Sequence, residues 1–152
     1  MTYSEAAVAD TISTHFVPLQ VNVQEEEARS MVESFYQAWT PDLRVLSSHG
    51  VELYRWNGYL SPFEFLPQLL VAQAHACLRL QDPGGAAALY RDVLDRFPTS
   101  AVAPEAQYFL AVSLYKASHE ASDLLNHWRQ LQTQYPESVW RLKQSFIEKE
   151  RK

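Results

Sequence analysis

The chain has 152 residues, 47% hydrophobic and 20% charged, with a formal net charge of -5 and a pI near 5.5. That is the balance of one folded domain, or of two small units sharing a core. No Lys/Arg stripe is present, which excludes nucleic acid as an expected partner, and the lone Cys77 excludes an internal disulfide, a CxxC pair and a structural zinc site of the cysteine type.

The first sixty residues mix two rhythms. Ser4 to Phe16 reads as a helix with Ala7, Val8, Ile12 and Phe16 on one side. Val17-Pro18-Leu19-Gln20-Val21-Asn22-Val23 alternates and is β-branched, which predicts a strand. Gln24 to Trp39 reads as a second helix, led by Glu25, Glu26 and Glu27, whose charges suit the positive end of a helix dipole. These glutamates are a solvated first turn sooner than an acidic recognition patch. Leu43 to Leu46 and Val51 to Trp56 are strand-like, and Ser47-Ser48-His49-Gly50 between them predicts a hairpin turn.

From residue 61 to 150 the period is helical. Ala86, Leu89, Tyr90, Val93, Leu94 and Phe97 form one stripe, entered after Asp82-Pro83-Gly84-Gly85 and stopped at Pro98-Thr99-Ser100. Ala106, Phe109, Leu110, Leu114 and Ala117 form the next, entered through Pro104, and Leu124, Trp128, Leu131 and Tyr135 the third, stopped at Pro136. A last helix is expected at 138–150. The helices repeat: Phe97-Pro98 recurs as Tyr135-Pro136, 38 residues on, and the same offset pairs Tyr90 with Trp128, Val93 with Leu131, Ala72 with Leu110 and Ala76 with Leu114. An internal period of this length is the mark of stacked helix pairs.

Ala86, Tyr90, Val93 and Pro98, and again Leu124, Trp128, Leu131 and Pro136, follow the spacing of small, aromatic, small and proline positions in the second helix of the tetratricopeptide repeat. Residues 66–150 therefore resemble that family, with Val and Leu in small-residue positions and without its first-helix Trp and Gly. The period also exceeds the family's usual ~34 residues. The resemblance implies all-α helical hairpins and a role in binding protein or peptide.

The order helix, strand, helix, hairpin, helix over residues 3–70 resembles the thioredoxin family from its redox helix onward. Thr40-Pro41 stands where that family places its cis-proline, His49-Gly50 matches its turn, and Asn57-Gly58 with Ser61-Pro62 matches the entry to its last helix. The resemblance implies an α+β N-terminal part with an incomplete thioredoxin-like sheet. The family's central strand and CxxC precede the first helix, and neither is in this chain. Disulfide exchange needs an attacking thiolate and a second, resolving thiol, so no dithiol oxidoreductase activity is expected of the chain as written. The missing strand would leave main-chain groups unpaired. Three remedies are open: the neighbouring strands close up, a second chain completes the sheet as a homodimer, or the protein begins upstream of Met1.

The expected organisation is thus a truncated thioredoxin-like domain at 1–65 and tetratricopeptide-like repeats with a capping helix at 66–152. The expected function is a non-catalytic, redox-inactive module for binding proteins or peptides. The alternative is the C-terminal portion of a thiol-disulfide oxidoreductase with its CxxC upstream. The peptide-binding candidates are four. Thr40 and Pro41 are either the edge that hydrogen-bonds an extended peptide, as the thioredoxin resemblance implies, or an ordinary trans turn. Tyr108 and Tyr115, seven apart on one helix face, either line a groove or belong to the repeat core. No catalytic residue, cofactor or metal is expected, because the five histidines have no carboxylate or cysteine at ligand spacing. The longer apolar stretches are broken by Gln, His or Arg, so no membrane span is expected. The opening Met1-Thr2-Tyr3-Ser4-Glu5 lacks the basic start and apolar run of a secretory signal, which makes a cytoplasmic location the expectation.

Overall fold

A computed structural model describes residues 2–145. It is an α+β chain: one two-stranded antiparallel sheet and seven α-helices among the described residues. Helix α1 spans Ala6–His15, and Val8 (2% exposed), Ile12 and Phe16 bury against Phe65, Leu66 and Leu69. Ala7, expected on the same side, is exposed.

Residues 17–23 correct the sequence reading: they form no strand. No main-chain hydrogen bond ties them to another strand, and Val17 and Leu19 are 97% and 76% exposed. Alternation describes a strand only where a neighbour supplies the ladder and a core takes one face. The helix expected at 24–39 is also shorter. A 3-10 turn at Glu26–Ala28 leads into α2, Arg29–Ser34. Of this stretch only Ala28 is buried, so little packing prolongs the helix, and Tyr36 at φ 49 turns the chain out of it.

Strands β1 (Asp42–Leu46) and β2 (Glu52–Asn57) pair antiparallel, with Leu43 opposite Trp56 and Val45 opposite Tyr54. Gly50 supplies the positive φ (78°) that the connecting turn requires. The alternation along the hairpin sends Leu43, Tyr54 and Trp56 toward the helical core.

Helix α3, Pro62–Arg79, is the spine of the molecule. Its first half packs on α1 and the hairpin, and its second half packs on α4, Pro83–Arg96. Helices α5 (Ala103–Ser118) and α6 (Ala121–Gln134) follow, each packed on the one before, and short α7 (Val139–Leu142) lies on both. Both boundaries of α6 fall 38 positions after those of α4, from 83 to 121 and from 96 to 134. The offset extends to the backbone. Gln81 and His119 close α3 and α5 in the left-handed region at φ 65 and 61, and Phe97 and Tyr135 end α4 and α6 at φ -133 and -131. The core follows the same rhythm: Tyr90, Val93 and Leu131 are fully buried, and Trp128 is 6% exposed. The part of the expected last helix beyond 145 lies outside the described residues. No helix among the described residues is long and apolar enough to cross a membrane.

Candidate functional site

The outer edge of β1 is the first feature that could engage a partner. Gly58 N–H donates to the Pro41 carbonyl at 2.9 Å, which sets the phase of the ladder. By that phase Leu43 and Val45 exchange hydrogen bonds with β2, while the main-chain groups of Asp42 and Arg44 point away from it. No other strand pairs with this edge among the described residues.

Side-chain chemistry holds the edge in place. The Arg44 guanidinium donates to Asp42 Oδ2 at 2.7 Å and to the Phe35 carbonyl at 2.8 Å, and it also pairs with Glu52. The Phe35 ring lies 4.8 Å beneath the guanidinium. The Asp42 hydrogen bond, with further help from both carboxylates, pushes the Arg44 pKa above its ordinary value, so the cation is permanent. Arg44 thereby pins the loop that follows α2. That loop presents Tyr36 (88% exposed) and Trp39 (72% exposed) just before the Thr40-Pro41 peptide, which is cis. Residues 1–60 hold eight acidic and three basic side chains, so the chain's whole formal charge of -5 sits in this half.

A second cluster joins the hairpin to the helices. His75 on α3 lies with Nε2 2.7 Å from Glu105 Oε1 on α5. Tyr54 on β2 stacks on the imidazole at 4.7 Å and donates its hydroxyl to the same carboxylate oxygen at 3.3 Å, while Gln68 Nε2 donates to Tyr54 Oη at 3.1 Å. Phe109 and Tyr90 close edge-on around the imidazole, at 4.4 and 5.8 Å. Burial first, and then the Glu105 charge, pushes the Tyr54 hydroxyl up to about 12. His75 Nε2, Glu105 Oε1, Tyr54 Oη and Gln68 Nε2 meet one another across a packed interface, so the work of the set is cohesion: it seats the hairpin on α3 and α5.

The sequence-derived candidates fall in separate places. Thr40 and Pro41 lead into the open β1 edge. Tyr108 belongs to an aromatic seam, stacked on Trp128 at 5.2 Å and against Trp140 at the same distance, and it is half-buried. Tyr115 is 39% exposed near the end of α5. No hydrogen bond or ring contact joins the two pairs among the described residues. Cys77 packs at the rim of the helical core, and burial followed by the Asp82 charge pushes its thiol up. No group of three His, Cys, Asp or Glu side chains is placed to hold a metal ion among the described residues.

Sequence reasoning missed Tyr54, Gln68, His75 and Glu105 as a set. His75 and Glu105 stand 30 residues apart on different helices, and no local pattern couples them. It also passed over Tyr36 and Trp39, whose exposure depends on where α2 ends. Comparisons with family models, with curated proteins and with solved structures each found no match.

Proposed function

We propose that this chain is a non-catalytic interaction module, a thioredoxin-like remnant followed by two tetratricopeptide-like helix pairs, which takes an extended segment of a partner protein along β1. The observation that carries the reading is the unpaired main-chain edge of Asp42 and Arg44 beside the exposed rings of Tyr36 and Trp39. An unpaired edge offers donors and acceptors at strand spacing, and exposed aromatic rings next to it supply apolar anchors. The acidic balance of residues 1–60 favours a basic segment. The repeat half of the reading draws support from the 38-residue coincidence of helix ends and left-handed caps. For thiol chemistry the chain itself has only Cys77 to offer, with its thiolate disfavoured.

The test is a titration of the ¹⁵N-labelled full chain with an acetylated octapeptide alternating Lys and Val. Saturable shifts at the Asp42 and Arg44 amides, together with weaker binding by Trp39→Ala at unchanged melting temperature, are expected. The reading is overturned if those amides stay unmoved while light scattering reports a monomer. A doubled mass with protected Asp42 and Arg44 amides would identify a second copy as the partner at this edge.

A further inference from the structure

A groove of about 520 Å³ lies between α4 and α6, with α5 as its floor. Its volume is in the range of sites that hold small ligands or short peptide segments. Gln107, 3% exposed, sits at the bottom. Its Nε2 donates to the His127 carbonyl at 3.0 Å and to Gln130 Oε1 at 3.3 Å, which fixes the amide's orientation. With the nitrogen so occupied, Oε1 accepts no hydrogen bond from the described residues, and it is not sealed from solvent. Gln130 and Gln134 add amides along the α6 wall.

The α4 wall carries the charges. Arg91 and Asp95 both line the groove one turn apart, and neither has an ion-pair partner among the described residues. Their neighbours behave differently, because Arg96 pairs with Asp92 at 2.6 Å. The internal repeat does not explain the pair either. The positions 38 residues on are Arg129, which donates to Asn126, and Thr133. Residues four apart on a helix are separated by about 6 Å along its axis. Side chains on the same side of an extended chain are two residues apart, or roughly 6.6 Å. The two rulers agree.

We propose that this groove binds an extended peptide carrying an acidic and a basic side chain at alternate positions, matched to Arg91 and Asp95, with its main chain against the amides of Gln107, Gln130 and Gln134. Amide side chains both donate and accept, as a peptide main chain does. One cation balanced by one anion argues against a phosphate-bearing ligand, which gathers several cations. The lining residues lie on α4, α5, α6 and the turns after them, so this site is independent of the β1 edge.

The experiment follows the side-chain amide signals of Gln107, Gln130 and Gln134 in the ¹⁵N-labelled full chain. Three blocked pentapeptides are titrated: Ala-Glu-Ala-Lys-Ala, Ala-Lys-Ala-Glu-Ala and pentaalanine. One charged peptide is expected to give saturable shifts at all three amides, at least tenfold more tightly than pentaalanine. The double variant Arg91→Asp with Asp95→Arg, both exposed and outside the core, is expected to reverse the preferred order of charges. The proposal is overturned if no peptide shifts these amides, if pentaalanine binds equally well, or if the variant keeps the original preference. Shifts confined to the Asp42 and Arg44 amides would overturn it while leaving the β1 reading standing.

Discussion

Tyr54, half-buried, and Tyr90, fully buried, have opposite accounts. The Tyr54 hydroxyl donates to Glu105 and accepts from Gln68, whereas the Tyr90 hydroxyl is sealed from solvent with no partner among the described residues. Removing a satisfied buried hydroxyl strands its partners, and removing an unsatisfied one relieves a desolvation cost. Tyr54→Phe should therefore lower stability by about 1–2 kcal/mol in urea denaturation, and Tyr90→Phe should leave it unchanged or raise it. The same contacts set a pH window. With the Tyr54 hydroxyl at about 12 in the fold against 10.0 as its ordinary value, its contribution is complete below pH 10 and is lost as pH rises from 10 through 12. Urea midpoints measured from pH 9 to 11.5 should fall across that window, and less steeply in Tyr54→Phe. Cys77 gives a kinetic counterpart. Its raised pKa leaves less thiolate at pH 8, so a neutral alkylating reagent should modify the folded chain severalfold more slowly than the chain in urea.

The helix pairs show how much a local signal can specify. Asp82 accepts from the Gly85 N–H at 2.9 Å and caps α4, so Asp82→Ala should cost about 1 kcal/mol. His119 ends α5 at φ 61, a conformation that glycine takes without a Cβ penalty, and His119→Gly should raise the melting temperature slightly. Leu131 repeats the buried position of Val93, and Leu131→Ala should cost about 2–5 kcal/mol for the cavity it leaves. Helical periodicity was legible here because each stripe meets the next helix in sequence, so pattern and packing coincide. The 17–23 segment has the pattern of a strand and lacks the neighbour that would make it one. The end of α2 was equally hidden, since it depends on Tyr36 turning left-handed and on Arg44, from a later element, holding the Phe35 carbonyl.

Across the whole molecule, stability should follow burial. Helices α3, α4 and α5 contain most of the fully buried residues, whereas residues 9–27 and 33–40 contain none. Amide exchange should accordingly be slowest in α3–α5 and fast through residues 17–40. The hairpin is held between these extremes, because Tyr54 and Trp56 key it to α3 and α5 while its β1 edge has no partner. If Tyr54 anchors it, Tyr54→Phe should speed amide exchange in β2 more than in α6.

By itself the sequence determined the α+β class, the hairpin, the positions of α4, α5 and α6 and the 38-residue register. It also determined the single thiol. These features rest on contacts between residues close along the chain or one repeat apart, and periodicity, turn residues and caps encode such contacts directly. The tertiary structure alone decided that residues 17–23 stay unpaired and that Tyr108 belongs to a seam with Trp128 and Trp140. It also decided that His75 meets Glu105 and Tyr54, and that Arg91, Asp95 and Gln107 share a groove. Each of these depends on which surfaces of distant elements meet, and burial on one helix face does not say which side chain will come to lie against it.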